Sequence, residues 1–431
     1  MIRRRLLAWS SLALLSACAS STTPPPPYPS APPPYSPPQT RAEPAPQPPA
    51  PQATPAAMEF DAWRQDFLAN RAGRWRSVLE RELRGVTPEA RVITSDLGQP
   101  EFSAPVGTYI ARTVSADRVS RGRQARASVP QLADIEARFG VPAEVVTAIW
   151  GLETAYGQIM GSQDVIRSLA TLAAQGRRRD WAETQLMAAA QMISEGAATR
   201  AQLRGSWAGA MGHTQFIPET YLDRAVDGDG DGRRDIWGSP PDALASAANL
   251  LKNADWRPGG SWAVEVLVPR TGFDYSVTES LAAAPSEWWR RGVRRVDGRP
   301  WSAVDQASEA RLILPSGVNG PAFLAFPNHM AIRAYNNSTS YALGVGLLAD
   351  AIAGRPGLRA TWPAEQPLSL ADRRAAQAAL AELGFSPGAI DGVVGAGTRA
   401  ALRAWQQARG RPADGYLDAG AIAALRREAG V

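Results

Sequence analysis

Apolar side chains recur at helical spacing along much of this 431-residue chain. From about Met58 onward, Phe60, Trp63, Phe67 and Leu68 would share one helix face, because residues three or four apart lie on the same side of an α-helix. The same spacing predicts further helices over residues 132–139, 181–195 and 341–352. The pattern therefore predicts a folded region that is mainly helical.

A second apolar stripe follows Pro142, whose fixed backbone angle and missing N–H suit the first turn of a helix. Glu153 lies beside this stripe, four residues after Ile149. A carboxyl at the edge of a dry surface loses hydration of its charged form, so its pKa is expected to rise toward the range of a general acid. The alternative is a glutamate on a solvated helix face. The stripe consists of Val145, Ile149, Leu152 and Tyr156.

The pattern changes between Trp262 and Leu314 to short β-prone runs such as 264–268, separated by glycine and proline. Such runs are typical of short strands. We therefore predict a small β-containing subdomain over about residues 262–315, inserted into the helical core. Helical spacing returns after His329.

The C-terminal part contains an internal repeat. The segment Asp391–Arg403 recurs 23 residues later as Asp414–Arg426, and each copy has a turn that leads into an amphipathic stretch. Together with a predicted helix over 370–383, the two copies indicate a module of three helices. Residues 353–368 contain Gly, Pro and Glu and are predicted to connect this module to the rest of the chain.

The N-terminus has the pattern of an export signal. Three arginines, Arg3 to Arg5, precede an apolar run that ends at Leu15, and Leu15-Ser-Ala-Cys18 matches a bacterial lipobox. This predicts a lipoprotein signal peptide over 1–17 and a lipidated Cys18; the alternative is an ordinary signal peptide that contains a cysteine. Residues 18–57 would then be the lipidated cysteine and a proline-rich spacer.

Composition narrows the chemistry. One cysteine excludes an internal disulfide, and two histidines, His213 and His329, leave little room for a multi-histidine metal site or a Ser-His-Asp triad. The net charge of +5 and 14 Trp do not indicate nucleic acid, because the basic residues are scattered and no nucleic-acid motif is present. The remaining possibility is catalysis by a carboxylate side chain.

Four segments, 148–157, 205–221, 225–232 and 335–341, together resemble the membrane-bound lytic murein transglycosylase B family. The repeat resembles a peptidoglycan-binding domain. The resemblance implies a lysozyme-like α+β catalytic domain over 58–355 and a wall-binding module of three helices over 366–431.

The resemblance also implies a reaction. Glu153 would protonate the leaving oxygen of the β-1,4 bond between N-acetylmuramic acid (MurNAc) and N-acetylglucosamine (GlcNAc) in peptidoglycan. The same carboxylate would then deprotonate the C6 hydroxyl, whose oxygen closes a 1,6-anhydro ring. Two alternatives stay open: a hydrolytic muramidase of similar fold, and a peptidoglycan-binding lipoprotein without activity. No organic cofactor is expected.

Several residues would contact the substrate if the family pattern holds. Arg177, Arg178 and Trp181 stand where the family has groups that meet the muropeptide, although this stretch is one residue shorter here. For the aromatic residues, core packing is the alternative. His213 is expected to be structural. The remaining groove residues are Ser206, Met211, Gln215, Phe216, Tyr335, Asn336 and Tyr341.

The acidic segment after Val226 resembles an EF-hand loop, with side chains or carbonyls at alternating positions and Gly232 at the sharp turn. Gly238 replaces the glutamate expected at position 12, and the family closes its loop with a later acid, here Asp242. Asp242 could equally cap a helix that begins at Ala243. We expect a structural Ca²⁺, or more weakly Na⁺. The predicted ligands are Asp227, Asp229, Asp231, the Arg233 carbonyl, Asp235 and Asp242.

These observations predict a protein of the periplasm, anchored by lipid and probing the glycan strands of the wall. Ala19 rather than aspartate follows Cys18, which favours the outer membrane of a Gram-negative bacterium.

Overall fold

The computed structural model describes residues 55–97 and 104–430, and from Ala53 to Val431 the chain forms one compact unit. Cys18, the predicted signal peptide and most of the predicted spacer lie outside the described residues. In the described part, no helix combines the length and the apolar character that a membrane span requires. The prediction of a mainly helical protein with a β-containing part is confirmed.

Helices make up the first two hundred described residues, apart from one short strand pair, β1 (Gln163–Asp164) and β2 (Arg204–Gly205). The first helix begins a little before the predicted Met58. The helices are α1 (Pro55–Asn70), α2 (Arg76–Glu82), α3 (Ala90–Leu97), α4 (Val106–Thr113), α5 (Ala116–Ala127), α6 (Leu132–Phe139), α7 (Ala143–Thr154), α8 (Val165–Gln175), α9 (Arg179–Ser194), α10 (Pro218–Arg224) and α11 (Pro240–Asn253).

An antiparallel five-stranded sheet follows, with strand order β4-β6-β8-β3-β5. It extends to Ala325, ten residues beyond the predicted end at 315, because β8 is the central strand and pairs with both β3 and β6. The elements of this region are β3 (Ala263–Leu267), β4 (Ala282–Ala283), α12 (Pro285–Arg290), β5 (Arg294–Arg295), α13 (Ala303–Gln306), β6 (Ala310–Ile313), β7 (Pro315–Val318) and β8 (Ala322–Ala325).

The chain then returns to helix, as the spacing after His329 predicts. The helices are α14 (Pro327–Tyr335), α15 (Thr339–Ile352), α16 (Leu370–Glu382), α17 (Ala396–Ala408) and α18 (Ala419–Ala429). The last three enclose a core around Leu380, Leu402 and Trp405, which confirms the three-helix module.

Two hydrophobic cores divide the helical part. The first core contains α6, α7, α11 and α15, and the second contains α1, α8 and α9. Tyr335, the last residue of α14, packs against both cores. Tyr335 therefore lies at the boundary between the two cores and contacts both of them.

The two repeat copies are built alike. A glutamine of the preceding helix brackets each Asp-Gly turn: Gln377 accepts from Gly392 N–H and donates to Asp391, and Gln406 does the same for Gly415 and Asp414. A buried amide that uses both its oxygen and its nitrogen in this way fixes the turn relative to the helix.

The C-terminal module also packs on the sheet region. Glu279 accepts hydrogen bonds from Arg399 and Arg403 of α17, and the other oxygen of Asp414 accepts from Val318 N–H. The predicted connector 353–368 is not a free linker, because Trp362 packs against the first core and its neighbours bind Glu265 through their backbone.

His329 supplies a prediction from the fold. Its ring is 1% exposed, and neither ring nitrogen has a hydrogen-bond partner among the described residues. Burial lowers the pKa of His329 to about 3, with a smaller contribution from Arg333. The unfolded chain binds this proton near pH 6.5, so the free energy of unfolding should fall by about 1.4 kcal/mol per unit as pH decreases from 6.5 toward 3.

We expect the His329 ring to stay neutral in the folded protein, so its NMR resonances should not shift in a titration down to pH 4. Only two histidines are present, which makes the assignment direct, and burial also lowers the pKa of His213. The urea-unfolded chain is the control, with both rings titrating near 6.5. A His329 that titrates near 6.5 in the folded protein would contradict the buried placement.

Candidate active site

Glu153 lies in the last turn of α7, half-buried, where the helix leaves the first core. The helix begins after Pro142, and Glu136 of α6 accepts a hydrogen bond from its first N–H, at Ala143. It ends at Thr154, whose hydroxyl donates to the carbonyl of His213 at 2.7 Å. The position of Glu153 is therefore fixed by contacts at both ends of α7.

The prediction that Tyr156 belongs to the apolar face of α7 is wrong. Tyr156 is not helical: Ala155 and Tyr156 have φ angles of 51° and 64°. A left-handed conformation costs a residue with a side chain about 1–2 kcal/mol. Here Tyr156 turns back onto Gly151, where a Cβ would lie 2.6 Å from its ring, and its hydroxyl donates to the Arg118 carbonyl.

A tyrosine binds the Glu153 carboxyl directly. The hydroxyl of Tyr341 donates to Glu153 Oε1 at 2.5 Å. Tyr341 is the third residue of α15, and Ser338 caps that helix by accepting from Tyr341 N–H. Burial raises the pKa of Tyr341 well above its usual value, and the Glu153 charge raises it further. Tyr341 therefore remains a hydrogen-bond donor at neutral pH.

Tyr335 supports this arrangement from the end of α14. Its ring stacks on Tyr341 with centroids 6.4 Å apart, and its hydroxyl donates to the carbonyl of Thr214 at 2.5 Å. Burial raises the pKa of Tyr335 as well. The turn between α14 and α15 thus places one tyrosine on the acid and the other on the loop after β2. Asn336, at this turn, is exposed.

The loop 212–216 faces α7. Gln215 has a left-handed φ of 54°, and its side-chain amide donates to the carbonyls of Met160 and Gly212. His213 is buried and accepts a hydrogen bond from the Trp150 indole. Burial lowers the pKa of His213, so this ring is neutral and buttresses α7, in keeping with a structural role.

Two predicted groove residues are core residues. Met211 and Phe216 are fully buried and pair with each other through their backbone. Phe216 also packs on the Tyr335 ring. Ser206 is less buried: its hydroxyl accepts from the N–H groups of Ala208 and Ala210, and it lines a cavity of about 300 Å³ together with Arg91 of α3.

Arg177 and Arg178 both bind a carboxylate that the sequence pattern did not reveal. Asp96 is 2% exposed, and both guanidinium groups lie within 3.6 Å of its carboxyl oxygens. Trp181 packs at the edge of the second core with the Arg178 guanidinium over its ring. The structure thus ties this cluster to α3.

The acidic loop brings three carboxylates together. Asp227, Asp229 and Asp242 each offer an oxygen, and these oxygens lie within 4.8 Å of one another. Asp242 is buried and accepts from three backbone N–H groups, those of Gly228, Asp229 and Asp235. Burial raises the pKa of Asp242, whereas hydrogen bonds from Gly232 and Gly230 lower the pKa of Asp227.

Other predicted ligands of this loop are placed differently. Asp231 accepts from Arg233 N–H, and Asp235 accepts from the N–H groups of Trp237 and Gly238. Neither belongs to the group of three described above. The alternative role of Asp242 as a helix cap is wrong, because Ser239 caps α11 and Asp242 lies inside its first turn.

Three hard oxygen donors at this spacing suit Ca²⁺ or another hard cation. Asp227 is partly exposed, Asp229 is exposed and Asp242 is buried, so the group has one inner and two outer members. These residues fit Ca²⁺ because carboxylate oxygens are the ligands that this cation prefers.

Sequence reasoning missed Asp96, Thr154 and Tyr109. Tyr109 of α4 lies near Tyr341 and contributes to its raised pKa. Asp96 and Tyr109 stand in no motif, whereas Thr154 lies in the segment 148–157, and each of the three meets its partner across at least 59 residues of sequence. For Thr154, its place beside Glu153 is the one available signal.

Comparison with protein families gives two matches. The family described as the transglycosylase SLT domain matches residues 59–350, and a putative peptidoglycan binding domain matches residues 369–425. Among curated proteins, the membrane-bound lytic murein transglycosylase B of Escherichia coli (strain K12) is 33% identical over 222 residues. That match covers 50% of this chain and 58% of the E. coli protein, so it spans little more than half of the relative's length.

Solved structures are also similar. SltB3 from Pseudomonas aeruginosa, in complex with NAG-anhNAM-pentapeptide, is 46% identical with a TM-score of 0.79, and 86% of this chain and 98% of that chain are covered. The E. coli lytic transglycosylase SLT35, in complex with calcium, is 27% identical with a TM-score of 0.58, covering 68% of this chain and 92% of that one. Because the match over residues 59–350 takes in well over half of the sequence, this chain belongs to the transglycosylase SLT family.

Proposed function

We propose that the protein is a peptidoglycan lytic transglycosylase, which cleaves the β-1,4 bond between MurNAc and GlcNAc and leaves 1,6-anhydroMurNAc ends during cell-wall remodelling. The observation that carries the proposal is the Glu153 carboxyl, half-buried at the end of α7 and bound by the hydroxyl of Tyr341 from the first core. The names of the relatives and the anhydro sugar bound to SltB3 support it.

The chemistry requires one carboxyl in two states. Protonated Glu153 gives its proton to the GlcNAc oxygen as the bond to C1 of MurNAc breaks, and the N-acetyl oxygen of the same sugar assists at C1. The ionised carboxylate then takes the C6 hydroxyl proton, and the C6 oxygen bonds to C1. Glu153 regains its proton, and no water enters the product. General acid–base steps of this kind contribute about 10²–10⁴-fold each to a rate.

Tyr341 stabilises the ionised form of the Glu153 carboxyl. Its hydroxyl donates to Oε1 of the carboxyl that exchanges a proton with the substrate. Hydrogen bonds to charged groups are worth about 1.5–3 kcal/mol, so the tyrosine stabilises the carboxylate that forms after the first step. Tyr335 holds Tyr341 in place through the stack.

The substrate groove is proposed around Glu153. Ser206, Gln215 and Asn336 offer polar groups, and the Arg177, Arg178 and Trp181 cluster offers positive charge and an aromatic face for the peptide arm. Met211 and Phe216 would shape the groove from the core, since both are buried. Peptidoglycan is the proposed partner, and the module over residues 366–431 would bind it as well.

We further propose that the loop group holds a structural Ca²⁺, with Asp227, Asp229 and Asp242 as ligands. Asp231, Asp235 and the Arg233 carbonyl remain candidates for outer contacts. The calcium bound to SLT35 supports this assignment. The loop joins α10 to α11, so the ion would brace the fold rather than join the chemistry.

The location is proposed from the N-terminal pattern. Removal of residues 1–17 would expose a lipidated Cys18, which anchors the protein to the outer membrane and leaves the domain at 58–355 in the periplasm. The proline-rich spacer would give that domain reach toward the wall.

The central test replaces Glu153. Glu153→Gln is nearly isosteric but has no proton to donate, so digestion of purified sacculi should fall by at least about a thousandfold while binding to sacculi persists. Mass spectrometry of the wild-type products should give 1,6-anhydromuropeptides, each lighter by one water than a reducing product. Reducing ends alone would identify a hydrolytic muramidase, and a normally active variant would remove Glu153 from its role.

Tyr341→Phe tests the hydrogen bond. Loss of the donor makes the ionised carboxylate less stable, so kcat should fall about tenfold or more and the alkaline limb of the pH–rate profile should move to higher pH. Tyr335→Phe is the matched control, because its hydroxyl binds the Thr214 carbonyl and not Glu153. Equal shifts of the two profiles would contradict a specific role for Tyr341.

The loop cation is tested by thermal unfolding. A ligand that binds only the folded state at about 100-fold above its Kd adds about 2.7 kcal/mol to the free energy of unfolding, so Ca²⁺ should raise the melting temperature and chelation should lower it. Asp229→Asn should abolish most of this response. Asp223→Asn removes an exposed acid just before the loop and should leave it intact. If Ca²⁺ does not change the melting temperature of the wild-type protein, the site is ruled out.

Anchoring is tested separately from activity. Radiolabelled palmitate should enter the wild-type protein in cells, and Cys18→Ala should stop the labelling and release the protein from membranes. Labelling that continues in the variant would show that Cys18 is not the lipidated residue.

A further inference from the structure

One edge of the sheet region carries exposed apolar and basic side chains together. Trp289 is 58% exposed and Leu267 is 61% exposed, which is unusual for side chains of this size. We name this patch the basic edge; it consists of Leu267, Trp289, Arg290, Arg291 and Arg294.

The strand register places these residues side by side. Leu267 of β3 lies directly opposite Arg294 of β5, and β5 is the outer strand of the sheet. Opposite residues of an antiparallel pair point to the same face, so both side chains lie on the solvent side. The Arg294 guanidinium lies 4.4 Å from the Trp289 ring centroid, which joins α12 to the same surface.

Packing does not account for Trp289. Its neighbour Trp288 is fully buried and donates its indole N–H to the Ala310 carbonyl, so Trp288 and the buried Pro285 are the residues of α12 that face the core. Trp289 points away from that core. A large indole that the fold does not need for packing is available for a contact outside the chain.

The charge of the basic edge is positive. Arg290 and Arg291 share one acid, Glu287, and among the residues that the structure describes Arg294 has no carboxylate partner within 4 Å. Glu265 lies on the same face of β3 and accepts from the backbone of Arg359 and Ala360, which leaves its negative charge in place. Three arginines against two acids give this surface a net charge of +1.

We propose that the basic edge is a second membrane contact, which places the folded domain on an anionic lipid bilayer. Arginine stems and indole rings favour the boundary between water and hydrocarbon, and positive charge is attracted to acidic headgroups. The positive charge suits any anionic partner, the peptide arms of the wall included. An exposed leucine beside an indole, however, suits the hydrocarbon boundary that a bilayer offers and the wall does not. The inference is independent of the proposed activity.

The test uses the chain from Ala53 onward, which contains every hydrophobic core described above and excludes Cys18. Co-sedimentation should show binding to vesicles that mix phosphatidylglycerol with phosphatidylcholine, weaker binding to pure phosphatidylcholine, and loss of binding in high salt. Each arginine near such a surface contributes about fivefold in affinity, so Arg290→Gln with Arg294→Gln should weaken binding by about 25-fold. Leu267→Ser with Trp289→Ala should also weaken it.

The matched control is Arg84→Gln with Arg112→Gln, which removes the same charge from two exposed arginines of the helical part and should reduce binding far less. Digestion of sacculi should stay normal in all of these variants, so a failure of the proposed activity is seen separately. Wild-type protein that shows no preference for anionic vesicles would overturn the proposal. The same holds if the basic-edge variants lose binding to sacculi and not to vesicles, which would make the patch a glycan surface.

Discussion

The hydrogen bond between Tyr341 and Glu153 depends on a geometry that neither helix could supply alone. Glu153 belongs to α7 of the first core, and Tyr341 reaches it from the start of α15, where Ser338 fixes the first turn. Tyr335, at the end of the preceding helix α14, packs on both cores and donates to the Thr214 carbonyl. The acid is thus held by a clamp whose two arms are consecutive helices. A carboxyl can exchange a proton repeatedly with one substrate only if it keeps its position throughout, and this clamp meets that requirement.

The same constraint explains the unusual backbone after α7. A helix that continued past Thr154 would carry Tyr156 onward along the helix axis, whereas the left-handed pair Ala155 and Tyr156 turns the chain back at once. The tyrosine ring then covers Gly151, and the Thr154 hydroxyl is free to bind the His213 carbonyl. Local backbone strain is offset by these contacts, as is common where a site needs a defined side-chain position.

Much of this arrangement could be predicted from sequence, and the failures have physical causes. The helix over 132–139 follows from apolar spacing because it buries one face, and the helix over 341–352 follows from its largely apolar sequence because nearly all of it is buried. Glu153 stood out because it borders an apolar face. Tyr156 was misplaced because only tertiary contacts make a left-handed tyrosine favourable. Asp96 escaped notice because its partners Arg177 and Arg178 lie some eighty residues away. The alternating spacing of the loop acids does not show which of them come together in space, and among the described residues the structure groups Asp227 and Asp229 with Asp242.

The two Asp-Gly turns of the C-terminal repeat are equal in sequence and unequal in use. Each is bracketed by a glutamine of the preceding helix, but Asp414 also reaches Val318, whereas the hydrogen bonds of Asp391 stay within its own module. The second turn therefore has one more contact to satisfy than the first. Substitution of Asp414 should disturb both the module and the sheet region beside it, whereas substitution of Asp391 should disturb the module alone.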